Sequence, residues 1–220
     1  MLTRSLICAT TAIALSACTY SVSGHGENRS VESAGLVASR DVDVPGDAEF
    51  AGMFVGADGD VGGDLDLAGA SVRSNARVGG NLFAAGGRVR FTGEVAGDAE
   101  IDAGTGYVDA IIRGDAVIAA GRITLDGRID GALEMDGGRM ILRADVAGPV
   151  QIRGQGRDDS RNGRVDIAGR LQQGGLICAA EVNIRRGATV EGDLRIVSDR
   201  RPDGDGFTYE ALDGRDCDRV

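Results

Sequence analysis

The 220-residue chain contains no tryptophan, no lysine and a single histidine, so all 24 of its cationic residues are arginines. The side chains most often used as general bases, Schiff-base amines and neutral metal ligands are therefore nearly absent. The one histidine, His25, lies in a stretch rich in Ser, Gly, Asn and Glu, where it reads as a solvated linker residue. No basic run interrupts an overall charge of -10, which makes nucleic acid and anionic membrane surfaces poor partners. Apart from Leu6 to Leu15 there is no sustained apolar run, and that one is too short to span a bilayer as a helix. Glycine, at 36 residues, is too frequent for a helical domain.

What is present is a repeat. An aliphatic residue recurs every 17 residues at Val44, Val61, Val78, Val95, Ile112, Ile129 and Val146. Two positions later stands Gly46, Gly63, Gly80, Gly97, Gly114, Gly131 or Gly148, usually followed by Asp or Asn. Counting the aliphatic residue as offset zero, further apolar positions fall at +4, +6, +11 and +13. They are illustrated by Leu65, Leu67 and Val72 in one repeat and by Ala116, Ile118, Ile123 and Leu125 in another. Spacing by two is the period of a strand, and small residues at +2, +8 and +15 supply corners. An unslipped period through seven copies predicts a stacked array. The expected fold is all-β: a single-stranded parallel β-helix with three short strands per 17-residue coil, about nine coils and five internal apolar columns. A six-residue beat with 18 residues per coil, the left-handed hexapeptide alternative, fits the unequal intervals poorly.

Outward positions add a register code. At +16, Arg77 lies between Asp60 and Glu94, and Arg128 precedes Asp145 by one coil; at +1, Arg113 precedes Asp130. Such exposed pairs contribute about 0–1 kcal/mol each, so they tune register more than stability. The column Asp47, Asp64, Asn81, Asp98 and Asp115 has two readings, a row of cation ligands or corner residues bonded to local backbone. Turn chemistry favours the second, and no metal or cofactor is expected.

After Ile152 the period is interrupted by eight residues, Gly154 to Arg161. With these removed, Val165 and Ile167 fall at +11 and +13, and Leu171 opens a coil two residues longer than the others. Val190-Glu191-Gly192-Asp193 then restores the opening motif. The inserted loop carries Arg157, Asp158, Asp159, Ser160 and Arg161, with no nucleophile–base pair, so a glycan-active enzyme is not the expected reading. Residues 199–220 are charged and aperiodic and read as a tail or a cap over the last coil.

The N-terminus carries Arg4, the apolar segment and then Leu15-Ser16-Ala17-Cys18, which resembles a bacterial lipobox. That resemblance implies a signal peptide over 1–17, acylation of Cys18 and, with Thr19 and not Asp next, an outer-membrane lipoprotein of the cell envelope. Residues 18–41 would be a flexible tether and 42–198 the β-helix. Cys8 falls in the removed segment. Cys178 and Cys217 would then either pair as a disulfide or remain two free thiols.

The Gly-Asp-φ-x-φ coil and above all Arg186-Gly187-Ala188-Thr189-Val190-Glu191-Gly192-Asp193-Leu194 resemble the bactofilins. These are polymer-forming bacterial proteins whose right-handed β-helices join end to end. The resemblance covers about Asp43 to Val197 and implies a right-handed coil and homo-oligomers formed through the coil ends. The expected function is a non-catalytic envelope scaffold held by an N-terminal lipid. The alternative is a module that docks peptidoglycan or surface polysaccharide on a sheet face or on the 154–161 loop.

Overall fold

Alternating side chains make each coil's inner face apolar, and one coil alone cannot bury that face. In the computed structural model, which describes residues 19–23, 29–155, 163–212 and 217, the coils bury it by stacking in parallel as a β-solenoid of about ten turns. The signal segment, Cys18, His25 and the loop residues Arg157 to Arg161 lie outside the described residues. Up to the insertion, partners are related by one 17-residue period: Val44 pairs with Val61, Leu65 with Leu82 and Ile101 with Ile118. At about 4.8 Å per coil the stack is roughly 50 Å long. Val165 pairs with Met140, Ile167 with Leu142 and Leu171 with Val146, so the chain re-enters register after the insertion.

The inner columns compensate for one another in size. Phe50 shares its coil with Ala57, and two coils on the bulk changes sides, with Ala84 opposite Phe91. Gly106 lacks a side chain in the +11 column, and the space is filled from the next coil: a Cβ there would lie 2.3 Å from Ile123 Cδ1. Ser74, the one hydroxyl in the +13 column, is buried and donates to the Ala57 carbonyl, so it leaves no orphaned polar atom.

Three sequence expectations change. The three short strands of a coil are one continuous strand of 14 residues in Ala48–Val61, Leu65–Val78, Leu82–Val95, Ala99–Ile112 and Ala116–Ile129. Pairing with the neighbouring coil persists on both sides of the two gentler corners, and only the Gly-Asp corner breaks the strand. Second, the tether does not extend to residue 41. Ser30–Val44 is a complete coil paired with Ala48–Val61, and Thr19–Ser23 is a strand of its own. The frame extends back through Val31, Gly35, Ala38 and Val42, but Ser33 and Arg40 occupy the +6 and +13 sites and hide the pattern. Third, two ion pairs choose other partners: Arg113 pairs with Glu94, and Arg128 with Asp130. Arg77 does bridge Asp60 and Glu94.

The corner glycines have two physical roles. At +15, Gly59, Gly93 and Gly127 have φ of 114°, 136° and 98°, a region closed to most side chains. The +2 glycines do not take positive φ and are required for space. Asp98 Oδ1 of one coil lies 2.2 Å from where a Cβ on Gly114 of the next would sit, and the Gly97 carbonyl oxygen lies 2.6 Å from it. The same carboxylate oxygen accepts the Asp115 N–H at 2.8 Å. Gly114→Ala is therefore expected to destabilise the protein by about 1–3 kcal/mol. Asp98→Ala, which only orphans one N–H, should cost about 1 kcal/mol. Urea melts of both variants test this, and a wild-type midpoint for Gly114→Ala would refute the steric account.

Candidate functional site: the stack ends and an arginine face

At the N-terminal end, Thr19–Ser23 runs antiparallel along the first coil, with Thr19 opposite Ala34 and Ser23 opposite Ser30. Directly opposed residues share a face of the sheet. Tyr20 and Val22 oppose Ser33 and Val31, at inward positions, and lean over the open end of the apolar columns. The Arg40 guanidinium lies 4.2 Å from the Tyr20 ring centroid, and Arg29 donates to the Asp43 carbonyl at 2.8 Å. These residues, with Val42 and Val44, rim a hollow of about 210 Å³. Only one side of this end is paired by the strand; Val37 to Val44 bonds to the following coil.

The C-terminal end is closed more fully. Phe207–Ala211 adds in parallel to Asp193–Ser198, with Leu194 opposite Phe207 and Ser198 opposite Ala211. The Tyr209 hydroxyl donates to the Ser198 carbonyl at 3.1 Å. Cys178 and Cys217 are joined, with Sγ–Sγ 2.11 Å. Ile177 and Ile196 point inward, so their chain neighbours Cys178 and Val197 point outward. There they form a second small core with Leu212 and Cys217, with Leu176 packed at its edge. The tail thus both adds a strand to Asp193–Ser198 and covers the outer face of that side of the stack.

The acidic corner column is a hydrogen-bond ladder between coils. Asp47 Oδ1 accepts the Asp64 N–H at 3.0 Å, Asp64 that of Asn81 at 2.7 Å, and Asn81 that of Asp98 at 2.9 Å. Asp115 Oδ1 accepts from Ala132 at 2.7 Å. The acceptor serves backbone one full coil away, and not the local turn that the sequence suggested. Among the described residues no group of three or more His, Cys, Asp or Glu side chains is arranged to hold a metal. Burial, followed by the charges of Asp64 and Asp47, pushes the neighbouring Asp66 carboxyl above its ordinary pKa.

The outward face at offsets +10 and +12 carries a feature that composition conceals. Register stacks Arg73 on Arg90, Thr105 between Arg88 and Arg122, and Arg122 on Arg139. All five arginine residues are exposed. Among the described residues none of the five forms an ion pair, whereas arginines on other faces, such as Arg77, Arg113 and Arg153, do. Like charges stacked in one sheet weaken the fold. Arg90 lies 4.6 Å over the Tyr107 ring. Partial burial, then Asp126 and Asp109, push the Tyr107 hydroxyl above its ordinary pKa. The cluster is legible in the sequence only at the outward offsets +10 and +12, and the overall acidity of the chain masks it.

Beside the inserted loop, Asp166 is buried and accepts from Arg164 Nε at 3.2 Å and Arg185 Nη2 at 3.1 Å. The hydrogen bond and charge of Asp166 hold the Arg164 pKa above its ordinary value. This carboxylate is saturated by its partners and braces two coils. Of the glycines singled out by sequence, Gly63, Gly80, Gly97, Gly114 and Gly131 lie against a ladder Oδ1, Gly46 and Gly148 abut the backbone of the preceding coil, and Gly192 has φ 75° in the irregular last corner.

The disulfide closes a 39-residue separation, which a loop-entropy argument values at about 4 kcal/mol. Cys217→Ser should free the tail, accelerate tryptic cleavage after Arg200 and lower the melting temperature. Reduction of the wild type should reproduce both effects, and unchanged proteolysis would contradict this role of the bond.

Comparison with protein-family models, curated proteins and solved structures gives no match to this chain.

Proposed function

We propose that this chain is a non-catalytic scaffold of the bacterial cell envelope, a β-helical stalk anchored in the outer membrane by acyl groups on Cys18. The observation that carries this reading is the order of elements: the lipobox-like Leu15-Ser16-Ala17-Cys18 runs directly into the strand at Thr19. Anchor and rod are contiguous, as a stalk requires. The bactofilin-like repeat supports a structural role. Strands at Thr19–Ser23 and Phe207–Ala211 occupy one sheet edge at each end, so end-to-end joining would have to displace them or use the remaining edges. This favours a capped stalk over a filament subunit. The lack of lysine and of histidine in the repeat supports the non-catalytic part. Expressed in a Gram-negative host, the full chain should fractionate with membranes and show the mass of an acylated N-terminal cysteine. Cys18→Ser should abolish both. The purified protein should sediment as one species, and ordered filaments would replace the stalk with a polymer.

A second reading, docking of an anionic envelope polysaccharide, is favoured by the exposed stack of Arg73, Arg88, Arg90, Arg122 and Arg139. A polyanion laid along the rod would offset the like-charge repulsion that the fold tolerates. Retention on an anionic glycan matrix should weaken with salt and be lost in Arg88→Glu/Arg90→Glu, while a charge reversal at Arg77 leaves it unchanged. Equal retention of both variants would discard this reading.

A further inference from the structure

Eight large apolar side chains are exposed among the described residues, and six of them, Tyr20, Val22, Leu36, Val37, Met53 and Phe54, belong to the N-terminal strand and the first two coils. Tyr20 and Val22 cover the open end. The other four form one corner at offsets +9 and +10, where Val37 stacks on Phe54. Their exposures are 66% for Leu36, 57% for Val37, 49% for Met53 and 53% for Phe54. The fold does not require bulk at this corner. The same +9 position in later coils is Ala70, Gly87, Gly104, Gly121 and Gly138, and the +10 position is Ser71, Arg88, Thr105, Arg122 and Arg139. Apolar bulk is thus confined to the lower end of a column that is otherwise small or cationic.

The register places this corner beside the chain's point of attachment. Thr19 is paired with Ala34, two residues before Leu36, and residue 18 is bonded to Thr19, with Cα atoms about 3.8 Å apart. We infer that Leu36, Val37, Met53 and Phe54 form a membrane-inserting foot that enters the outer leaflet of a lipid bilayer next to the acyl chains on Cys18. This deepens the proposed function and rests on its lipid anchor. Several acyl chains on Cys18 hold the protein at the membrane but leave its orientation free, and a second contact fixes how the rod stands. Four side chains buried about 5–10 Å into the headgroup boundary would provide the second contact. Arg88, two coils above Phe54, then stands about 10 Å higher, at the level of lipid phosphates. Of the acidic residues at this end, Asp41, Asp43, Asp58 and Asp60 lie at +14 and +16 and Glu32, Asp47 and Glu49 at +3 and +5, none at the +9 and +10 positions of the foot, so the rod enters corner first with its disulfide-closed end farthest from the bilayer.

The chain has no tryptophan, so Phe54→Trp gives a single reporter at the foot, and Val117→Trp gives one on a distant coil. Each full-length variant would be purified from the envelope of its host, its N-terminal mass measured, and the protein reconstituted in phosphatidylcholine vesicles with brominated acyl chains. A variant lacking acyl groups would be coupled through the Cys18 thiol to a maleimide phospholipid, so the foot is presented in either case. Emission from the Phe54→Trp protein should shift to the blue and lose roughly half its intensity, most strongly with bromine near the headgroups, as a depth of about 5–10 Å demands. Val117→Trp should be unaffected. An unquenched reporter at position 54 on anchored protein would overturn the foot while leaving the lipid anchor standing. A missing acyl mass with quenching intact would do the reverse. A blue shift that grows with protein concentration in the absence of lipid would assign the corner to a second copy of the chain and overturn the proposal.

Discussion

The stack depends on one contact repeated up a single corner. A short acidic or amide side chain reaches into the coil above, occupies the space of a missing Cβ on glycine, and accepts the next residue's N–H. Donor, acceptor and void are each specified, so the contact fits one register only. A slip of one residue would place Oδ1 against a side chain, orphan the N–H and turn the apolar columns outward. Hydrophobic burial supplies most of the stabilisation and opposes a one-residue slip, but it distinguishes poorly among slips that keep the same face inward, in columns as interchangeable as Leu, Ile and Val. The corner ladder makes that choice. Constant coil length follows from it, as does the tolerance of an eight-residue insertion in another corner, where no such contact is present.

The fold was readable because the constraint is periodic. Once Val, Gly and Asp were aligned, the inward columns, the interruption after Ile152 and the re-entry at Val165 followed by counting. The first coil escaped because Ser33 and Arg40 stand at inward sites. An end coil has a neighbour on one side only and can admit polar residues that an interior coil excludes. The purpose of the +2 glycines was also hidden. Sequence shows that glycine is present, but only coordinates separate a need for positive φ, as at Gly93, from a need for empty space, as at Gly114. The functional surfaces were the least legible part. Arg73 and Arg90 are 17 residues apart and become neighbours only through the register of the outward positions, which carry no periodic composition to mark them.

The exterior is polarised along its length in a way the interior is not. Apolar residues cluster on the first coils, exposed arginines occupy the middle of one sheet, and the last coils are enclosed by the tail and its outer core. Interior positions repeat because every coil must solve the same packing problem. Exterior positions are free to differ, so the ordered change from apolar corner to arginine face to closed end is not dictated by coil packing.

The position of the covalent staple also sets how the rod would respond to load. A pull at Thr19 acts on one coil edge at a time, because each coil is held chiefly by its immediate neighbour. Coils would peel in sequence, each releasing roughly 55–60 Å of extended chain. The run ends where Cys178 is tied to Cys217, since the last coil cannot lengthen between those residues. Under tension the rod would therefore lengthen coil by coil up to a fixed stop at its disulfide-closed end.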